Sequence, residues 1–162
     1  MGADVGLHPP ARGVSACVKC QTSFVKLGSV KKRKGLNIKL NLLIIALGGA
    51  LGAVSRFLLG NAVSKALGSA LPYGTFVINV LGCFAMGLLM TLIVDREILP
   101  AAWRLFLCVG FLGGFTTFSS FGYETLMLFA EGRLLAVLAY VGGSVGMGLV
   151  AAAAGVLCAR AV

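Results

Sequence analysis

Acidic residues are scarce in this chain: Asp and Glu together number 5, against 14 Lys and Arg in 162 residues. No Asp falls within a long apolar run, and Glu124 lies only at the margin of one. That scarcity speaks against a proton-coupled cation carrier, which needs an ionisable carboxyl group at membrane depth. Histidine occurs once, as His8, with no plausible ligand set around it. Cys17 and Cys20 form a single C-x-x-C, and no second pair completes a zinc site, so a structural or incidental role is expected for them. Gly113-Gly114 is not followed by Lys-Ser or Lys-Thr, which speaks against a phosphate-binding loop. With no nucleophile and base pair, no metal cluster and no such loop, an enzyme is not expected.

The abundant component is apolar. Hydrophobic residues make up 59% of the chain and charged residues 12%, with a mean hydropathy of +0.99, whereas soluble domains carry about 25% charged residues. The runs between Lys39 and Arg56, Lys65 and Asp95, Arg104 and Glu124, and Arg133 and Arg160 contain no charge. Each is near or above the roughly 17 to 25 residues that span a bilayer, provided the first is extended past Arg56 to Leu59. The expected architecture is an all-α integral membrane protein of the bacterial inner (plasma) membrane, with four transmembrane helices. They are placed at about 40–59, 75–94, 105–130 and 134–159, with a break in the third near Gly113 to Thr117. A bundle of four helices has little interior beyond its own side chains, so an oligomer is expected to complete any polar pathway.

Residues 1–38 differ sharply from the rest. Pro9-Pro10, scattered Gly and Ser, and the basic run Lys31-Lys32-Arg33-Lys34 read as a disordered cytoplasmic tail. Beside a first transmembrane helix, a topology signal is the simpler reading of that run than nucleic-acid or anionic-lipid binding. A removed secretory signal is not expected, and an overlong gene start is an alternative origin for the tail. An even number of spans puts both termini on one side. Lys and Arg on that side, in the tail through Lys39 and at Arg96, Arg104 and Arg160, outnumber Lys65 and Arg133 by eleven to two, so both termini are expected inside. Without residues 1–38 the contrast falls to four against two and orientation becomes nearly undecided.

The segment Gly110 to Phe121 sets glycines, hydroxyls and evenly spaced phenylalanines inside an apolar run. A helix broken in hydrocarbon leaves backbone groups that need other partners, and such breaks are tolerated mainly at ion or substrate sites. Thr116, Thr117, Ser119 and Ser120 place four hydroxyls within five residues, more than ordinary back-bonding to i−4 carbonyls accounts for. Phe118 and Phe121 are able to turn positive ring edges toward an anion, although packing is the default for Phe. In the second span Thr75, Asn79, Gly82 and Met86 share one helical face, and Asn79 must meet either another helix or a ligand. In the fourth, Tyr140, Ser144 and Gly148 repeat at i, i+4 and i+8, as a polar ladder or a packed seam. In the first, Gly48, Gly49, Gly52 and Ala53 form a small-residue packing surface, and Arg56 either snorkels or concentrates anions at a vestibule. Glu124 is expected at the interface rather than in an anion path. Neutral donors plus one Arg suit an anion.

Three segments together resemble the Fluc (CrcB) family of fluoride channels: Gly52-Ala53-Val54-Ser55-Arg56, Gly74-Thr75-Phe76-Val77-Ile78-Asn79-Val80-Leu81-Gly82 and Gly113-Gly114-Phe115-Thr116-Thr117-Phe118-Ser119-Ser120-Phe121. The resemblance covers about residues 40–159. It implies an antiparallel, dual-topology homodimer with two fluoride pores that exports cytoplasmic fluoride. It also implies one structural sodium ion (Na+) at the dimer centre, held by the backbone carbonyls of Gly113 and Thr116 from both subunits. By motif position Phe118 and Phe121 match the family's pore phenylalanines, Asn79 its pore amide and Ser120 its pore hydroxyl, while Tyr140 and Ser144 match a polar track. The implied partners are fluoride, sodium, lipid and a second copy of the chain, with no nucleic acid.

Two features depart from the family pattern. Ser120 stands where the motif commonly has Thr, which keeps a hydroxyl. The basic tail should push every copy into one orientation, whereas an antiparallel homodimer needs both. Either translation begins after Met1, or assembly tolerates a minority orientation, or an oppositely oriented partner chain exists. A small four-helix proton-coupled multidrug exporter is the rival reading, and it would need a Glu in the first span, where this chain has none. N-terminal sequencing of the native protein tests the first option for the tail, which is eliminated if every copy retains Met1 to Lys34.

Overall fold

The computed structural model describes residues 38–68 and 70–161. His8, Cys17, Cys20, the basic run and the tail assignment lie outside the described residues. Four helical stretches are long and apolar enough to cross a membrane: Ile38–Leu67, Tyr73–Asp95, Arg104–Ala130 and Leu134–Ala161. We label the elements α1 (Ile38–Leu67), α2 (Tyr73–Asp95), α3 (residues 101–115), α4 (Phe118–Ala130) and α5 (Leu134–Ala161). The third stretch is therefore built from α3 and α4.

At about 1.5 Å per residue, α1 is ~45 Å long and overshoots a hydrocarbon core of about 30 Å. The helix passes the expected end at Leu59 because nothing from Gly60 to Leu67 breaks it. It stops at Gly68, whose φ of +80° is a left-handed cap, and the Gly68 N–H donates to the Ser64 carbonyl at 3.0 Å. The α4–α5 corner uses the same chemistry. Gly132 has φ +72°, its N–H donates to the Phe129 carbonyl at 2.9 Å, and the Arg133 N–H donates to the Leu128 carbonyl at 3.1 Å. That bond pair is a Schellman cap. Thr91–Asp95 and Arg104–Leu112 are wound as π-helix.

Glycines set how closely the helices approach. Along the α1–α3 contact, a Cβ at Gly48 would lie 2.5 Å from the Phe106 carbonyl oxygen, and one at Gly52 would overlap the Phe111 carbonyl. Gly110 and Gly114 face the α1 backbone in return, at the Ile45 and Gly49 carbonyls. A second contact of this kind joins α2 to α5, where Gly87 abuts the Ala152 carbonyl and Gly155 the Phe84 carbonyl. Lipid is as apolar as any core side chain, so helices in a bilayer associate through such close packing rather than through burial from water. Between the two contacts lies a small core of Ile78, Leu112 and Phe115, with Phe111 and Phe115 rings stacked at 5.8 Å.

Gly52→Leu should drive a side chain into the α3 backbone and destabilise the fold by about 1–3 kcal/mol or more. Gly143→Ala, whose added Cβ would lie 3.7 Å from the Phe76 ring, an ordinary contact, should leave it nearly unchanged. Thermal melting of the purified protein in detergent compares the two.

Candidate functional site

The site forms where the third span changes conformation. Gly113–Phe115 is helical, Thr116 is extended with φ −80° and ψ 157°, and Thr117 is extended with φ −149° and ψ 118°. Helix resumes at Phe118. The glycines are not the extended residues: Gly113 has φ −62° and ψ −36°, and Gly114 instead admits the Gly49 carbonyl. Thr117 caps the resumed helix, its Oγ1 accepting from the Ser120 N–H at 3.3 Å and donating to Ser120 Oγ at 3.1 Å. Thr116 Oγ1 makes the ordinary helical back-bond to the Leu112 carbonyl at 2.9 Å.

Asn79, from the middle of α2, reaches this extended pair. Its Oδ1 accepts from the Thr117 N–H at 2.9 Å and its Nδ2 donates to the Thr117 carbonyl at 3.0 Å. An amide NH₂ carries two donor hydrogens. One is spent on Thr117, and no described residue takes the other. The interhelical role is thus filled, with a donor to spare.

Two clefts meet at Thr117. One, of about 320 Å³, is lined by Asn79, Thr116, Thr117, Phe118, Phe121 and Ser144, with Cys83 and Met86 deeper along α2. Ser144 Oγ is buried there with no hydrogen-bond partner among the described residues. The Phe118 and Phe121 rings are 5.7 Å apart, and Phe121 lies 5.2 Å from the Tyr140 ring. The other cleft, of about 380 Å³, holds Arg56, Asn61, Ser64, Thr75, Thr117, Ser120 and Glu124. All seven expected side chains, Arg56, Asn79, Phe118, Ser120, Phe121, Tyr140 and Ser144, therefore line a cleft or touch a residue that does. Thr116 is the first residue of the extended pair, and Gly113 lies in the helical turn just before it.

Glu124 is more deeply engaged than its margin position suggested. Its Oε1 accepts from Thr75 Oγ1 at 2.7 Å and its Oε2 from the Tyr140 hydroxyl at 2.7 Å. Thr75 and Tyr140 are both buried, so the carboxyl group links α2, α4 and α5. Asn61 and Ser64 were also missed. They belong to the part of α1 beyond Leu59, and the i, i+4, i+8 spacing from Phe57 to Asn61 and Lys65 gave no apolar stripe to extend the helix by. Thr75 was legible only as a member of the Asn79 face.

Comparison with known proteins gives the chain's family. Residues 43–156 match the profile of the family described as CrcB-like protein, Camphor Resistance (CrcB). The chain belongs to the CrcB family. It is 52% identical over 118 residues to a fluoride-specific ion channel FluC of Solibacter usitatus, covering 73% of this chain and 97% of that one. It is 51% identical over 116 residues to the protein of the same name from Chloroflexus aurantiacus, covering 72% and 92%. A further relative of that name, from Acidobacterium capsulatum, is 46% identical over 107 residues, 66% of this chain and 86% of that one. With four spans and this membership, it is a multi-pass protein of the cell membrane.

The Glu124 links should show in stability. Tyr140→Phe leaves Oε2 without its donor, and hydrogen bonds to charged groups contribute about 1.5–3 kcal/mol. Tyr140→Phe and Thr75→Val should each lower the unfolding midpoint, and a double-mutant cycle should show coupling through Glu124. Additive losses in that cycle would contradict the shared carboxyl group.

Proposed function

We propose that this CrcB protein is a fluoride-selective channel that passively exports fluoride from the cytoplasm and so relieves its toxicity. The observation that carries this reading is a cleft in the apolar part of the bundle that offers unspent donors and no carboxylate. Among the described residues, Ser144 Oγ is buried without a partner, and Asn79 keeps one N–H beyond its bonds to Thr117. An unmade bond at a buried polar group costs about 1–3 kcal/mol, which a small anion with strong acceptor character would recover. Relatives named fluoride-specific ion channels support the same ion.

Fluoride holds its water tightly, so a selective path must replace that shell without any site too strong to leave. Arg56 attracts anions to the wider cleft, where the Glu124 carboxyl group also lies but is engaged by the Thr75 and Tyr140 hydroxyls. The hydroxyls of Thr117 and Ser120 sit where the clefts meet. Beyond them, the spare Asn79 N–H, the Ser144 hydroxyl and the ring edges of Phe118 and Phe121 take over, and the rings narrow the path against larger anions. Tyr140, held by Glu124, continues the polar track.

One chain supplies only part of the wall. Phe118 is 83% exposed, and Cβ atoms at Gly142 and Gly146 would meet nothing within 4 Å. An antiparallel second copy, inserted in the opposite orientation, completes two pores. The residues at the extended pair fit one structural sodium ion on the dimer axis. The Thr117 N–H, which a continuous helix would direct at the Gly113 carbonyl, goes to Asn79, and the Ser120 N–H, which would meet the Thr116 carbonyl, goes to Thr117 Oγ1. Both carbonyls are released as hard oxygen donors. The ion would supply positive charge and a tie between the two chains.

Liposomes containing the protein should release fluoride much faster than chloride, and equal or absent flux would sink the proposal. Phe118→Ile and Phe121→Ile should each slow fluoride efflux by about tenfold or more, which corresponds to ~1.4 kcal/mol in the barrier. Size-exclusion profiles should stay unchanged.

A further inference from the structure

The Asn79 side chain does two unlike things at once. It lines the cleft and keeps one N–H without a partner among the described residues. Toward the backbone it holds Thr117 through both of that residue's polar groups, at 2.9 and 3.0 Å, much as a neighbouring β-strand would. Thr117 is buried, at 9% exposure, so its N–H cannot turn to water. If Asn79 stopped accepting, the nearest alternative for that N–H would be the helical one, the Gly113 carbonyl. Thr117 would then leave its extended conformation, its Oγ1 would lose the capping position, and the Ser120 N–H would return to the Thr116 carbonyl. Both carbonyls would be consumed together, although neither Gly113 nor Thr116 had changed.

We propose that Asn79 is a positioning residue for the cation-holding carbonyls: by accepting the Thr117 N–H it keeps Gly113 and Thr116 available to sodium, and so couples the cation site to the anion cleft. This rests on the sodium site of the preceding reading and adds a division of labour within one amide. The Oδ1 acceptor serves the cation, and the Nδ2 donor serves the anion. No residue of the cleft other than Asn79 hydrogen-bonds the Thr117 N–H among the described residues.

The division gives a test in which the two halves separate. The full chain, purified in detergent, is melted in sodium chloride and in N-methylglucamine chloride, and fluoride efflux is measured in parallel. The unsubstituted protein should melt several degrees higher in sodium. Asn79→Leu, which removes both functions, should lose the sodium shift and the flux. Asn79→Asp keeps the acceptor and removes the donor, so it should retain the sodium shift and lose at least tenfold in flux. Phe118→Ile should likewise retain the sodium shift. A merely structural Asn79 would lower the melting temperature equally in both salts and give no split between Leu and Asp. An undiminished sodium shift in Asn79→Leu overturns the inference. Should Asn79→Leu not fold, the smaller Asn79→Ala, which also lacks the acceptor, is melted in both salts instead, and an undiminished sodium shift there overturns the inference. Flux without any sodium shift in the unsubstituted protein also overturns it but leaves the channel standing. A sodium shift without flux overturns the channel and, with it, the coupling to the anion cleft, and leaves only the acceptor's role at the cation site.

Discussion

The rest of this site depends on the pair of hydrogen bonds between the Asn79 side chain and the Thr117 backbone. A primary amide in the middle of an apolar helix and two consecutive extended residues in another are each costly in lipid, because neither can be satisfied by water. Here each supplies what the other lacks. The pairing fixes Thr117 as the cap of α4, and the cap sets the direction from which Phe118 and Phe121 leave the backbone. A polar cleft and a pair of unspent carbonyls then follow from a single contact between α2 and the third span.

That contact is held in place by packing that is itself inflexible. Gly48 and Gly52 press α1 onto the backbone of α3, and Gly87 and Gly155 bring α2 onto α5. Backbone against backbone leaves little room to slide, since any added side-chain atom overlaps a carbonyl. Phe115, buried against Ile78 and Leu112, anchors the last helical residue before the extended pair. Glu124 secures the other side by accepting from hydroxyls on α2 and α5. The donor set of the cleft is thereby mounted on closely packed walls.

Much of the fold was legible because a membrane simplifies the code. Charge-free runs of sufficient length become helices, and all four appeared. Their ends were less legible: α1 continued to Leu67 because helix termination depends on a capping glycine, here Gly68, rather than on where hydrophobicity fades. The face shared by Thr75, Asn79, Gly82 and Met86 was readable from spacing alone, and those residues do turn toward the third span. What that face touches was not readable. Glu124 illustrates the limit, since its place near a helix end suggested an interfacial carboxylate, while its two hydroxyl partners come from residues 49 and 16 positions away.

The sequence by itself determined that this is a membrane protein, how many spans it has, and, through three short motifs, the CrcB family. These depend on composition and local spacing, which the bilayer and the helical period convert directly into structure. Only the tertiary structure decided that Thr116 and Thr117, rather than Gly113 and Gly114, are the extended residues, and that Asn79 is the group that holds them there. The reason is that a buried hydrogen bond is chosen among competing partners. The Thr117 N–H could serve the Gly113 carbonyl of its own helix or the amide of another, and which it serves depends on how closely glycine lets the helices approach.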